Sequence, residues 1–218
     1  MEYITREIVS TNWLTILLLI CLGLLAIAKG LNALRFSDFM MLFSNNKYII
    51  SYQKPNKLSS PFNAVLLLLQ IASVSLFLYL YFDIFELQVV ATEITLYIKI
   101  TIIYAVIVIC KLLIEKIIAT IFSIDGIVDE YLFYKVSYRN FLGVILLPFN
   151  IVFIYALQPT RIVYLILVIL LIILNLVVLV SFYRKNENII FNHLFYFILY
   201  LCALEIAPYF ILYKLISN

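Results

Sequence analysis

Six long apolar stretches, separated by shorter polar ones, constrain the fold of this chain more than any other feature. They lie at residues 13–28, 62–82, 95–118, 140–157, 162–182 and 193–216. A helix needs about 20 mostly apolar residues to cross the hydrocarbon core of a bilayer, and within lipid it must satisfy its own backbone hydrogen bonds. The pattern therefore predicts an all-α membrane protein, a bundle of six transmembrane helices that forms one polytopic domain over residues 1–218.

The composition supports lipid as the main solvent of the chain. Of its 218 residues, 66% are hydrophobic and 12% are charged, whereas soluble domains are about 45–50% apolar and about 25% charged. The net charge is only +3, and the basic residues form no long run that would be typical of a nucleic-acid surface. We therefore expect the lipid bilayer as a partner and no nucleic acid.

The first apolar stretch has a second interpretation, as a cleaved signal peptide. Ala26, Ile27 and Ala28 resemble a cleavage site for signal peptidase. The segment before this stretch lacks the positive charge of a signal peptide, because Arg6 is accompanied by Glu2 and Glu7. The sequence therefore favours an uncleaved first span.

Two of the polar connectors contain apolar residues at helical spacing, one within residues 29–62 and one within residues 119–139. Such a stripe is typical of an amphipathic helix lying at the membrane surface. We predict two short cytosolic interfacial helices whose apolar faces dock partner proteins or lipid headgroups. The predicted docking surface consists of Phe36, Phe39, Met40, Phe43, Ile127, Val128, Tyr131 and Leu132.

The distribution of basic residues predicts the orientation of the bundle. Six spans place the first, third and fifth connectors, with their flanking turns, on one side of the membrane. This side carries Lys29, Arg35, Lys47, Lys54, Lys57, Lys111, Lys116, Lys135, Arg139, Arg184 and Lys185, and the other side carries Arg6, Lys99, Arg161 and Lys214. Since cytosolic loops are enriched in Lys and Arg, the connectors of the first side are expected in the cytosol and both chain termini in the periplasm.

Polar residues within the apolar stretches are the candidates for an intramembrane site: Glu205, Pro208, Asn150, Asn175 and Gln70. A carboxylate at mid-membrane is costly and is expected to face other helices. Proline has no amide hydrogen, so Pro208 leaves a carbonyl one turn earlier without its helical partner. Three interpretations stay open: Glu205 fixes helix packing by bonding one of the amide side chains or a tyrosine, it binds a proton or an ion, or it contacts a partner protein or a lipid headgroup.

A second group of candidates, Lys111, Glu115 and Lys116, lies near the cytosolic end of the third span. Lys111 and Glu115 are four residues apart and share one face of a helix. They form either an interfacial pair whose lysine reaches toward water, or a source of positive charge for a carboxylate elsewhere in the bundle.

No combination of residues in the chain resembles a known catalytic or metal-binding motif. The 3 cysteines lie in apolar stretches, and His193 is the only histidine. We therefore expect no cofactor, no metal and no enzymatic activity. The 4 glycines lack the Gly-x-x-x-Gly spacing of close helix crossings, which predicts helix packing through bulky side chains.

Three stretches resemble a known family: KLLIEKIIATIF (Lys111–Phe122), YKVSYRNFLGVILLPFNI (Tyr134–Ile151) and LFYFILYLCALEIAPYFILYKLI (Leu194–Ile216). The family consists of multi-pass inner-membrane proteins of Bacteroidota that are catalogued as a domain of unknown function. The resemblance implies location in the bacterial inner membrane and a lineage-restricted role, but no catalytic residue.

Bacteroidota possess their own secretion and gliding machinery. The resemblance therefore implies a non-catalytic subunit or assembly factor of such an inner-membrane complex, with other membrane proteins as partners. The alternative is a small proton- or ion-coupled transporter that uses Glu205.

Overall fold

The computed structural model describes residues 12–42, 47–52, 60–84, 93–121, 125–156 and 160–185, and every regular element within them is a helix. Its seven helices are α1 (Asn12–Leu31), α2 (Ala33–Met40), α3 (Lys47–Tyr52), α4 (Pro61–Ile84), α5 (Glu93–Ile121), α6 (Asp125–Tyr155) and α7 (Arg161–Lys185). The prediction of an all-α chain is confirmed for these residues. The predicted last span, 193–216, lies outside them.

Three of these helices are long and apolar enough to cross a membrane: Asn12–Leu31, Pro61–Phe82 and Val128–Tyr155. The part of α7 over Arg161–Asn175 is also apolar. The chain is therefore a membrane protein by the length and composition of its helices, while the number of six spans stays a prediction.

Helix α4 lies at the centre of the bundle and packs against α1, α5 and α6. Helix α1 runs antiparallel to it, because Trp13 at the start of α1 contacts Tyr79 near the end of α4, with ring centroids 5.2 Å apart. Helix α6 runs parallel to α4. Gly143 of α6 lies against Gln70 of α4, and Asn150, which is later in α6, contacts Ser73, which is later in α4. Successive long helices thus alternate in direction.

This alternation gives the bundle two ends of different character. The connector end consists of α2, α3 and the adjoining ends of α1, α4, α5 and α6, around residues 31, 61, 121 and 125. The aromatic end consists of the opposite ends of the long helices and carries Trp13, Tyr79, Tyr97, Tyr155 and Tyr164.

The structure corrects one predicted boundary. The sequence suggested a short amphipathic helix within residues 119–139 followed by a separate span at 140–157, but α6 is a single helix of 31 residues. Nothing between Asp125 and Pro148 breaks a helix, and Pro148 itself lies inside α6 on an exposed surface. The sequence changes from amphipathic to mostly apolar near residue 140 within one continuous helix.

The outward faces of the long helices are covered with large aliphatic side chains. Ile16 of α1, Ile103 of α5 and Ile166 of α7 are each about 60% exposed, whereas Leu66 and Leu76 of α4 are buried. An apolar exterior around a packed core is the arrangement expected of helices surrounded by lipid.

Candidate functional site

The most unusual side chain of the connector end is Arg35 on α2, of which only 6% is exposed. Asn32 caps this helix by accepting a hydrogen bond from the Arg35 backbone N–H at 2.9 Å. The guanidinium of Arg35 then reaches toward the start of α4. Its Nη1 donates to Ser60 Oγ at 2.9 Å, and its Nη2 donates to Asn63 Oδ1 at 3.1 Å and to Tyr48 Oη at 3.4 Å.

Aromatic rings surround the same guanidinium. Its central carbon lies 4.7 Å from the ring centroid of Phe62, 5.1 Å from that of Tyr52 and 5.8 Å from that of Tyr48. Such rings attract a cation through their negative faces, and more strongly where water is excluded. The Arg35 cluster is defined here as Arg35, Tyr48, Tyr52, Ser60, Phe62 and Asn63.

The oxygens that accept hydrogen bonds from Arg35 are all neutral. Burial raises the pKa of the Tyr48 hydroxyl, and the charge of Arg35 only opposes that rise, so Tyr48 keeps its proton at neutral pH. None of the ion pairs among the described residues includes Arg35, and its buried Nε has no hydrogen-bond acceptor. Among the described residues, dipoles and rings rather than a carboxylate surround this buried positive charge, an arrangement with a substantial desolvation cost.

An ion pair joins α5 and α6 on another face of α6. Glu115 is fully buried, and its Oε1 lies 2.8 Å from Lys135 Nζ. Lys135 also lies over the ring of Tyr131, 5.0 Å from its centroid. The second carboxylate oxygen of Glu115 is buried without a hydrogen-bond donor among the described residues, so the attraction of Lys135 must offset much of the cost of burying this carboxylate.

Two residues of the predicted charged group at the end of the third span form ion pairs with α6. Glu115 pairs with Lys135 of α6, and Lys116 pairs with Asp129 at 2.5 Å, while Lys111 is half-buried. Both ion pairs join a residue of α5 to a residue of α6, so the spacing of residues along α5 could not predict them.

The predicted intramembrane group is only partly brought together. Gln70 and Asn150 are fully buried at the α4–α6 interface. Gln70 Nε2 donates to Tyr104 Oη, and Asn150 Nδ2 donates to the Ser73 carbonyl at 3.0 Å. Asn175 is exposed on α7 and donates to the Leu171 carbonyl of its own helix at 3.0 Å.

Two further members of that group, Glu205 and Pro208, lie outside the described residues. Their contact with Gln70 or Asn150 stays a prediction.

The apolar faces that were predicted to dock a partner pack against the bundle instead. Phe39, Val128, Tyr131 and Leu132 are buried, and the ring of Phe39 meets the rings of α3, α4 and α6 at centroid distances of 5.5–6.2 Å. The docking prediction is corrected for these four residues, because helical periodicity identifies an apolar face but not what covers it.

The remaining residues of the predicted surface differ. Phe36 is half-buried and Met40 is 45% exposed. Phe43 and the side chain of Ile127 lie outside the part of the chain that the structure describes.

The sequence pattern indicated Arg35 only as one of the basic residues of the cytosolic side, whereas its side chain is buried. One sequence signal indicated the burial of Arg35. Arg35 lies four residues before Phe39 and therefore shares a face of α2 with this apolar residue, which is buried. Lys135 likewise shares a face with Tyr131. A basic residue on the apolar face of a helix therefore predicts a charged side chain that is largely buried in the fold.

The chain matches a known family model. A family model described as a domain of unknown function, DUF4271, matches residues 14–216. No curated protein matches the chain. No solved structure matches it.

Proposed function

We propose that this chain, which belongs to the family of unknown function DUF4271, is a non-catalytic integral subunit or assembly factor of a protein complex in the bacterial inner membrane. A secretion or gliding complex is the kind of assembly proposed, as the resemblance to proteins of Bacteroidota suggests. The family description carries no activity, so the proposal depends on the geometry of the bundle.

One observation supports this proposal above the others: the buried polar groups of the bundle join one helix to another. Arg35 joins α2 to α3 and α4, Glu115 joins α5 to α6 through Lys135, and Asn150 joins α6 to α4. Interhelical polar contacts of this kind stabilise a bundle within lipid. Rigid helices that present apolar faces are suited to binding the helices of partner subunits.

The outer face of α5 is the surface proposed for such a partner. Ile98, Ile102, Val106, Leu113 and Ile117 lie on one stripe of this helix, and all are exposed. Their spacing of four and seven residues follows the helical repeat. An aliphatic stripe of this length fits either lipid or a transmembrane helix of another subunit.

Cross-linking within the native membrane tests the proposal. A photoreactive residue would be placed at Ile102 of α5, with Ile20 of α1 and Ile166 of α7 as matched positions on other exposed faces. We expect one defined protein adduct at Ile102 and lipid adducts at Ile20 and Ile166, and the same protein in stoichiometric amount after purification in mild detergent. Lipid adducts alone at all three positions, with no co-purifying protein, would contradict the proposal.

The proposed orientation places the connector end in the cytosol and both termini in the periplasm. Lys29, Arg35, Lys47, Lys116 and Lys135 all belong to the connector end, and basic residues favour the cytosolic side.

A small proton- or ion-coupled transporter is the second candidate, and a specific observation favours it. Gln70 Oε1 and Asn150 Oδ1 are buried at the α4–α6 interface, and no described residue donates a hydrogen bond to either oxygen. Amide oxygens of this kind can bind a cation, and Glu205 would supply the negative charge. A Glu205→Gln variant that accumulates normally but loses proton or ion flux in proteoliposomes would support the transporter, whereas wild-type protein without flux would exclude it.

A further inference from the structure

Helices α2 and α3, here called the strap, contact both α4 and α6 at the connector end. The ring of Phe39 on α2 meets the ring of Phe62 on α4 and the ring of Phe141 on α6, at centroid distances of 6.2 Å and 5.7 Å. All three side chains are buried. Phe39 therefore joins α4 to α6 through the packing of aromatic rings.

Tyr48 on α3 forms a second connection of this kind. Its hydroxyl donates to Asn63 Oδ1 of α4 at 3.3 Å, and its ring stacks on that of Phe133 of α6, with centroids 5.8 Å apart. Just after α2, the Leu42 carbonyl accepts a hydrogen bond from the Tyr138 hydroxyl of α6 at 3.4 Å. The strap is thus attached to both long helices at several points.

The strap contacts lie on one side of the place where α4 and α6 touch directly at Gly143. A Cβ at Gly143 would lie 2.7 Å from the Cα of Gln70, so the two backbones are in contact there. On the aromatic side of this contact, Asn150 Nδ2 donates to the Ser73 carbonyl at 3.0 Å. Because glycine has no side chain to interlock with the partner helix, the two helices can change their crossing angle at this point.

The strap consists of two short helices that depend on each other. Helix α2 has 8 residues and α3 has 6, and helices this short are stabilised mainly by packing against the rest of a protein. Arg35 Nη2 of α2 donates to Tyr48 Oη of α3 at 3.4 Å, and the rings of Phe39 and Tyr48 lie 5.5 Å apart. Loss of the α3 contacts should therefore also release α2.

We infer that the strap is a conformational gate. Its two helices are released as one unit, and their release lets the connector ends of α4 and α6 separate about Gly143. The contact between Asn150 and Ser73 and the aromatic end stay closed. Cooperative opening of a small unit, without unfolding of the rest, is a general property of folded proteins. The gate concerns contacts within the bundle only, so it holds for a complex subunit and for a transporter alike.

Hydrogen exchange of the full chain in mild detergent tests the release of the strap. Tyr48→Ala removes the side chain that joins α3 to α4 and α6. Since truncation of a buried aromatic side chain is costly, we expect the amides of both α2 and α3 to exchange about a hundredfold faster. The amides of α4 around Ser73 should exchange as in the wild type. Ile50→Ala is the matched control on the same helix, because Ile50 is 69% exposed, and it should change exchange less than about threefold.

Three results of this experiment would overturn the inference. The first is faster exchange of α3 with α2 unchanged, and the second is equal acceleration by Tyr48→Ala and Ile50→Ala. The third is an equal acceleration of the strap and of α4 around Ser73. If Tyr48→Ala does not accumulate, Tyr48→Phe takes its place. It removes only the hydroxyl hydrogen bonds, so both strap helices should then exchange about tenfold faster, and the same three results would overturn the inference.

Distances between pairs of spin labels test the separation of α4 and α6. The labels are attached to introduced cysteines in a chain whose 3 native cysteines are replaced. One pair, Ala64 and Glu130, reports on the connector side of Gly143, and the other pair, Leu78 and Val152, reports on the aromatic side. The same strap variant should lengthen the first distance by about 2–5 Å and leave the second unchanged. Lengthening of both distances, or of neither, would overturn the inference.

Discussion

The two ends of the bundle satisfy their polar groups in different ways. At the aromatic end, the Tyr164 hydroxyl donates to the Phe77 carbonyl at 2.6 Å, and Trp13 packs against Tyr79 and Tyr97. At the connector end, Arg35 and Glu115 are buried as charged groups. Tyrosine and tryptophan side chains suit a membrane–water boundary because they combine an apolar ring with one polar group. The free energy of a buried charge depends instead on each of its hydrogen-bonding and ion-pair partners.

This difference predicts where substitutions lower the free energy of unfolding most. Loss of one hydroxyl hydrogen bond removes about 0.5–1.5 kcal/mol, while removal of one partner of a buried ion pair costs about 3–5 kcal/mol. The connector end should therefore dominate the stability of the fold, and four substitutions test this in order of expected effect.

The largest effect is expected from Lys135→Met. This change leaves Glu115 fully buried without its cation, and should reduce the free energy of unfolding by about 3–5 kcal/mol. Glu115→Gln should cost less, because Lys135 is 19% exposed and can turn toward water. Unfolding of both single variants and of the double variant in detergent would measure the coupling free energy between Glu115 and Lys135. Equal losses of unfolding free energy for Lys135→Met and Glu115→Gln would contradict the expected difference between them.

Gly143→Ala probes the α4–α6 interface between the two ends. A Cβ at this position would lie 2.7 Å from the Cα of Gln70, closer than unstrained atoms approach. We expect a loss of about 1–3 kcal/mol from overpacking. Gly23→Ala is the control, since nothing lies within 4 Å of the added Cβ in α1, and it should be neutral or stabilise by up to about 1 kcal/mol. An equal effect of both changes would mean that the helices do not approach at Gly143.

Tyr164→Phe tests the aromatic end. It removes the hydrogen bond to the Phe77 carbonyl but keeps the ring stack, whose centroids are 4.5 Å apart. The expected loss in unfolding free energy is about 1 kcal/mol. Tyr155→Phe is the matched control, because its hydroxyl bonds to Thr15 at an exposed position and its removal should cost less. A cost for Tyr164→Phe as large as that for Lys135→Met would remove the distinction between the two ends.

The smallest effect is expected from Lys116→Gln. Its side chain is 47% exposed and that of Asp129 is 35% exposed, and ion pairs exposed to water contribute about 0–1 kcal/mol. The small difference from the wild type should shrink further as salt is added, since salt screens exposed charges. A salt-independent loss above about 2 kcal/mol would show that this pair is enclosed like Glu115 and Lys135.

Within the described residues, helices occur where the sequence has long apolar stretches, because such stretches have few alternatives in lipid. The predicted spans at 62–82 and 162–182 correspond to α4 and α7, and Pro61 begins α4 as expected of a proline in the first turn. Helix α2 also occurs where the amphipathic pattern predicted a short helix. Boundaries were less certain, and α6 joins two predicted elements.

The site could be predicted only in part, and the reason is physical. Periodicity identified Phe39 and Tyr131 as members of apolar faces, but both side chains are buried, and Phe39 packs against Phe141 of the sequence-distant helix α6. The pairing of Glu115 with Lys135 arises from the packing of α5 on α6, which local spacing does not contain. The close approach at Gly143 is likewise a tertiary contact that the lack of Gly-x-x-x-Gly spacing did not suggest.

The central claim is that the connector end and the aromatic end lie on opposite sides of the membrane, with the connector end in the cytosol. Cysteine labelling tests it most directly, in a chain whose 3 native cysteines are replaced. Met41 and Gly126 report on the connector end and Thr160 on the aromatic end, and all three are exposed. A membrane-impermeant maleimide should label Thr160→Cys in spheroplasts, and should label Met41→Cys and Gly126→Cys only after permeabilisation. Labelling of all three from the same side, or of Met41→Cys and Gly126→Cys alone in intact spheroplasts, would contradict the account.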